Sequence, residues 1–370
     1  AYLAALARHR GGDYAGSLTA CTTFPGKHPT HTRLPDAAFM RAENLLLLTR
    51  DAEALKAYEG FLAAHAKHTS VQAASFRLVQ LQHKQQAWQA ALDRAIPLVA
   101  STAATAGKPE GALFAPLPFL VGDCYFNIEK WADAITHLKT FVDKQPTATH
   151  RDVALLKLGL AYSHLGKTAE AVKSLSALAS AYPKSAQRSV GLVELGRLQY
   201  EAKQYAPART SFQGVSATAT ASDASRAQAA YYLGWIALAE QKDADAATHF
   251  TTVIQKHAAS PLVADSLLQL GSVQLKTKSY PAAAITLTRL VKEFPPYEKA
   301  DHALYSLGVS MARQEQWAAA GTHFTALVKK HAASALRDRA LYEGAWCAKR
   351  QEQPEAAMQQ YSDLLRDFPQ

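Results

Sequence analysis

The chain has 370 residues, 48% of them apolar, which excludes a disordered polymer and supplies enough apolar surface for two or three ordinary domains. Forty Lys and Arg against 31 Asp and Glu give a formal charge of +9, but residues 1–110 hold only twelve bases against eight acids, so the surplus is spread along the chain as a solubilising charge and not gathered into a nucleic-acid footprint. The three cysteines, Cys21, Cys124 and Cys347, form no CxxC metal pair and read as small buried hydrophobes, and no apolar run is long enough to span a membrane.

In chain order, the elements are copies of one unit. The opening AYLAALARHRGG lacks the layout of a signal peptide and an initiator methionine. The first unit is anchored on Ala5, with Tyr14, Ser17, Cys21 and Phe24 following; the second on Ala42, with Ala54, Tyr58 and Phe61; the third on Val79, with Trp88, Ala91, Ala95 and Leu98. The stretch STAATAGKPEG, Ser101 to Gly111, reads as a loop. Residues 101–116 are therefore expected to link three repeats in 1–100 to seven in 117–370.

From there the anchor is glycine. Gly122 leads Trp131, Ala134, Leu138 and Phe141; Gly159 leads Ala171, Leu175 and Leu178; Gly196 leads Ala208, Phe212 and Val215. Gly234 leads Ala246, Phe250 and Val253; Gly271 leads Ala283, Leu287 and Leu290; Gly308 leads Trp317, Ala320, Phe324 and Leu327. Gly344 opens the last copy, whose Ala357, Tyr361 and Leu364 are displaced by one residue. Glycine accounts for 18 of 370 residues yet fills seven of ten anchors, so the period of about 37 residues is not an accident of an alanine-rich composition.

Apolar residues recur at three- and four-residue steps on both sides of polar stretches such as NIEK and RQEQ, which predicts two helices joined by a short turn in each unit. Pro146, Pro183 and Pro295, with HAAS at 257–260 and 331–334, stop the second helices. A helix-interior glycine costs roughly 0.5 to 1 kcal/mol relative to alanine, so the anchors predict a point where the first helix presses backbone to backbone on the second, with the alanine twelve residues on as the other small surface.

The order seen whole in Gly122, Tyr125, Ala134, Leu138, Phe141 and Pro146 resembles the signature of the tetratricopeptide repeats, across essentially the whole chain. The usual unit of that family is about 34 residues. The longer units here, ending in Pro-x-Ser as in YPKSA at 182–186, resemble the variants of bacterial envelope proteins, notably Tol-Pal coordinating proteins and outer-membrane assembly lipoproteins. The resemblance implies an all-α solenoid of about ten helix-turn-helix repeats forming a right-handed superhelix. Solenoids need polar caps; the first repeat begins four residues before its anchor and the last stops just past Pro369, so an excerpt from a longer protein is expected.

Catalytic signals are weak. GKT at Gly166 to Thr168 would need a glycine where Ala161 stands and a preceding strand, and it falls in a helical turn. His137, His249 and His323 share one offset from the anchor and His257 and His331 another near a helix end, which is repeat grammar with the latter pair suited to the helix dipole. His65 and His68, read as three apart on one helix, suggest no third metal ligand. With no GxSxG, HExxH or GxGxxG motif, neither enzyme chemistry nor a cofactor or metal is expected.

In the family resembled, the first helices line the concave face, with ligand-facing places three before the anchor and one, four and five after it. Carried over, these hold Phe76, Phe119, Tyr231 and Tyr305; Arg197 and Trp235; Phe126 and Tyr200; Lys84, Lys276, Arg313 and Lys349. The expected function is a non-enzymatic scaffold that binds a partner peptide or protein on this aromatic and basic surface, within a bacterial envelope complex; the resemblance favours the periplasm or cell envelope, and the cytoplasm stays open. The Lys/Asn grip on a C-terminal carboxylate is not reproduced, since Asp123 and Trp235 stand where asparagine is wanted. Two alternatives remain: an RNA-binding helical repeat, for which a fixed polar offset and concentrated charge are missing, and the targeting arm of a larger enzyme.

Overall fold

The structure, a computed structural model, describes residues 1–102 and 109–369. Among them are twenty helices and no strand, in two compact units, 1–182 and 183–370. The first unit holds α1 (Tyr2–Arg10), α2 (Tyr14–Lys27), α3 (Leu34–Leu47), α4 (Asp51–Ala64), α5 (Val71–Lys84) and α6 (Trp88–Thr102), then α7 (Leu117–Asn127), α8 (Trp131–Lys144), α9 (Arg151–His164) and α10 (Thr168–Ala181). The second holds α11 (Arg188–Glu201), α12 (Tyr205–Ser216), α13 (Asp223–Ala239), α14 (Asp243–Lys256), α15 (Val263–Lys276), α16 (Tyr280–Glu293), α17 (Ala300–Ala312), α18 (Trp317–Lys330), α19 (Arg337–Arg350) and α20 (Pro354–Asp367). Each unit is five helical hairpins of the expected repeat. Of the expected linker, 101–102 close α6, a 3-10 turn spans Pro109–Phe114, and 103–108 lie outside the described residues. No helix among the described residues is long and apolar enough to cross a membrane.

All ten hairpin turns have one construction. In the second repeat the Thr49 N–H donates to the Leu46 carbonyl and the Arg50 N–H to the Leu45 carbonyl, at 2.9 Å each, the Schellman closure of a helix end. Thr49 takes φ 58°, and Gln86, Glu129, Lys203, Gln241, Lys278, Glu315 and Glu352 repeat that left-handed turn, with Gly12 and Gly166 in the other two copies. Gly166, the first residue of GKT, is thus a corner residue at φ 69°.

The anchors work differently from the backbone-to-backbone crossing expected. A Cβ on Gly159, Gly196, Gly234, Gly271 or Gly308 would fall 2.6 to 2.7 Å from side-chain carbons of Leu175, Phe212, Phe250, Leu287 or Phe324. The glycine is a socket for the large side chain sixteen residues on. Those five side chains are fully buried, as are the alanines at offset twelve, each large side chain contributing about 1.5–3 kcal/mol. At Gly344 a Cβ would crowd the end of the Gln360 side chain and touch Phe324 Cβ at 3.5 Å, the displaced register of the last copy.

First helices also touch their counterparts in the next repeat, as α5 does α7, α7 does α9, α11 does α13 and α15 does α17, whereas second helices have no comparable contact with one another among the described residues. Within each unit the row of first helices is therefore the tighter, inner side.

All three cysteines are buried, and burial pushes Cys347 up to about 11. His65 caps the C-terminus of α4 and His68 lies in the following loop, so the two do not share a helix; both rings pack on Phe61, at 5.5 and 5.6 Å. His257 and His331 are C-cap residues, as their offset suggested.

His137, His249 and His323 are half-buried on second helices, and burial lowers each below the ordinary histidine value of 6.5, although Asp133 beside His137 and Asp245 beside His249 pull upward. The unfolded chain therefore takes up protons first on acidification. Their contribution is full above 6.5 and is lost as pH falls through and below it. The melting temperature should drop between pH 7 and pH 5, and a triple variant with glutamine at these three positions should show a shallower drop in the same scan.

Candidate binding face

The inner row of the second unit, joined by Tyr205 at the start of second helix α12, carries a continuous belt of rings. Tyr205 meets Tyr200 at 5.9 Å, Tyr200 meets Tyr232 at 5.6 Å, Tyr232 meets Tyr231 at 5.7 Å, and Tyr231 meets Trp235 at 6.1 Å. Each ring is only partly buried. Two fully buried side chains fix the belt from beneath: Phe212 stacks on Tyr232 at 5.1 Å and 2°, and Phe250 stands edge-on to Tyr231 and Trp235. These are the same phenylalanines that fill the sockets of Gly196 and Gly234, so repeat packing itself orients the exposed rings.

Asp265, in the first turn of α15, pins the hydroxyl end of the belt. It accepts from Tyr231 Oη, from Tyr297 Oη at 2.7 Å and from Lys299 Nζ at 2.9 Å. Burial raises its pKa, but the three donors outweigh burial and hold it below the ordinary carboxylate value. Tyr231 is therefore a fixed platform whose hydroxyl is already committed.

The expected face positions divide. Trp235, Tyr200, Tyr231 and Tyr305 lie on partly open surface, with Tyr305 5.8 Å from Phe324. Phe126 does too, in the first unit, where it meets Trp131 at 5.1 Å and the Lys157 ammonium at 5.0 Å. Phe119 is only 6% exposed, stacked on His150 and tilted against Phe141, so it is a packing residue. Phe76, Leu156, Val193, Leu268 and Leu341 share its place three before the anchor and are equally buried. In these six repeats that place is buried, whereas Tyr231 and Tyr305 at the same place stay partly open; the place two before the anchor is also open, which adds Lys157, Glu194, Tyr232, Gln269, Ser306 and Tyr342 to the face.

The charges also divide. Arg197 is held bidentately by Glu194, at 2.6 and 2.9 Å, and by Glu201; Lys276 is held by Asp243 at 2.8 Å. The wall beside the belt is therefore charge-balanced and not basic as expected. Arg313, Arg339, Lys349 and Arg350, farther along the same row, are exposed and make no ion pair among the described residues. Beside them a groove of about 450 Å³ is lined by Tyr305, Asp338, Arg339, Tyr342, Glu343 and Leu364.

In the first unit, Asp123 lies buried between first helices, against His83 Nε2 at 2.9 Å and the Lys157 ammonium, with Asn127 Nδ2 at 3.2 Å. Burial alone would raise its pKa, but His83 and Lys157 overcome that and lower it. No cluster of His, Cys, Asp and Glu among the described residues could hold a metal.

Hairpins with one corner construction, six of them with a glycine socket for the following helix, and rings displayed along the first-helix row define a helical-repeat solenoid fold. The comparisons specify the repeat. The family model described as tetratricopeptide repeat matches residues 153–185, and the model described as outer membrane lipoprotein (YfiO) matches 223–370. The fold is that of a tetratricopeptide-repeat array, and residues 223–370 are similar to an outer membrane lipoprotein family. The C-terminal part of a repeat-containing protein from Cytophaga hutchinsonii superposes with a TM-score of 0.52 at 14% identity, covering 72% of this chain and 99% of its own. A tetratricopeptide repeat protein from Parabacteroides merdae covers 75% of this chain and 98% of its own at 15% identity, with a TM-score of 0.44. For PilF of Pseudomonas aeruginosa the values are 59%, 92%, 17% and 0.43. No curated protein sequence matches the chain. Repeats of this family are generally non-catalytic scaffolds for protein or peptide partners.

Proposed function

We propose that the chain is a non-enzymatic scaffold whose second unit holds a segment of a partner protein along its inner row, within an assembly of a bacterial envelope. The observation that carries this reading is the belt from Tyr205 to Trp235: five partly open rings in mutual contact, immobilised from below. Rigid aromatic surface is what interfaces use as anchors, because it buries a large area while losing little side-chain entropy. The match of residues 223–370 to an outer membrane lipoprotein family supports the envelope setting.

Tyr232→Ala and Trp235→Ala should each weaken the partner recovered from envelope extracts by about 2 kcal/mol, roughly thirtyfold in affinity. Ile285→Ala, on second helix α16 and 74% exposed, should leave it unchanged. Quantitative pull-down followed by titration with the recovered partner reads both; equal binding by all three variants would refute the belt as the site.

A further inference from the structure

Free positive charge on the inner row of the second unit gathers at one end for a reason built into the repeat. A base five residues after the anchor reaches back thirty-three residues to an acid at the start of an earlier second helix: Lys84 to Asp51 and Lys276 to Asp243. Such pairs fasten one repeat to the next. Thirty-three residues before Arg313 stands Tyr280 and before Lys349 stands Gln316, neither an acid, while Arg350, the next residue, lays its guanidinium over the Trp317 ring at 5.0 Å. Where the acid is missing the cation stays free. Arg339, Tyr342 and Trp346 then follow at three- and four-residue steps along one face of α19, with Lys349 and Arg350 three and four residues beyond Trp346, Tyr342 52% and Trp346 39% exposed, and the Lys349 ammonium 5.5 Å from the Trp346 ring.

We propose that this end of the row, α19 with Arg313 of α17, binds an acidic segment of a partner protein whose carboxylates alternate with apolar side chains. The inference rests on reading the inner row as a binding surface and adds the chemistry of the occupant. Alternating cations and rings match alternating carboxylates and apolar groups, the cations being available without first breaking an ion pair. A polyphosphate backbone fits less well, because Asp338 and Glu343 line the groove beside Arg339 and repel a continuous line of negative charge while still accepting peptide N–H groups.

The test uses the full chain and, by fluorescence anisotropy, a short labelled peptide alternating glutamate with leucine and phenylalanine, its lysine-for-glutamate counterpart, and a single-stranded oligonucleotide of the same net charge. The acidic peptide should bind, and salt should weaken it; the other two should not. The double variant Arg339→Glu with Arg350→Glu should lose about tenfold in affinity, while Arg350→Lys and Lys276→Ala should bind like the parent. An unchanged melting curve separates lost contact from lost fold. Failure of the acidic peptide to bind, its undiminished binding to the double variant, or equal binding of the oligonucleotide would each overturn the proposal. If the double variant keeps the envelope partner that Trp235→Ala loses, this inference falls and the belt stands; if both keep it, both fall.

Discussion

Gly122→Leu is expected to unseat α7 from α8 and to cost on the order of 3 kcal/mol or more. A Cβ at Gly122 would lie 2.7 Å from Leu138 Cγ and 2.9 Å from the Leu138 backbone nitrogen. At the other sockets the obstruction is the flexible end of a leucine or the rim of a ring, which can tilt aside; here backbone must move as well. The remaining leucine atoms find no space, since Leu138, Ala134 and Val121 are fully buried around the site. Gly122→Ala should fall at about 1–3 kcal/mol, even though alanine improves helix propensity. Gly60 supplies the contrast: it sits inside α4 with nothing within 4 Å of an added Cβ, so Gly60→Ala should stabilise by roughly 0.5–1 kcal/mol. Urea unfolding gives the magnitudes. Because stability in a repeat array is locally distributed, hydrogen exchange should place the Gly122 loss in α7 and α8.

The second large effect is expected at Asp123. Asp123→Ala leaves the Lys157 ammonium and the His83 ring facing each other with no anion between them. Removing one member of a buried ionic cluster costs about 3–5 kcal/mol; with Lys157 and His83 about a fifth exposed, the low end, about 3 kcal/mol, is expected. The sign with pH follows from the lowered pKa. The unfolded carboxyl protonates near its ordinary 3.8 and the folded one lower, so the stabilisation is complete above that value and is lost as pH falls through it. Parent and variant should differ most near neutrality and converge in acid. Equal melting temperatures at neutral pH would show that solvent already satisfies Lys157.

Much of this fold was legible because its rule repeats. The glycine at 122, 159, 196, 234, 271 and 308, the alanine twelve on and the leucine or phenylalanine sixteen on repeat in one order, and repetition converts weak local preference into strong pattern. The partner of the glycine was harder to read. Alanine at offset twelve and the large residue at offset sixteen are both invariant in kind, and only the geometry of the crossing says which one enters the socket. The open side of the first helices was legible only in part: Tyr231 and Trp235 are partly open, but Phe119 and Phe76, at the same place as Tyr231, are buried, and the place of Tyr232 and Tyr342 is open as well. A rotation of one residue about a helix is 100°, and in an array with apolar residues on most sides the sequence offers no sharp polar boundary to fix it. The pairing of Lys276 was also hidden, because it finds its carboxylate almost a whole repeat away, whereas the partners of Arg197 stand three and four residues from it on the same helix.

The ten left-handed corners carry a consequence for how such an array can diverge. Each is closed by main-chain bonds alone, and eight of the ten accept a side chain as different as threonine, glutamine, glutamate or lysine at the crossing. Connection geometry is thereby uncoupled from connection chemistry. Point changes at these tips can recolour one edge of the array without altering the angle at which one rod hands over to the next, leaving the ring-bearing row free to keep its spacing while the rim evolves.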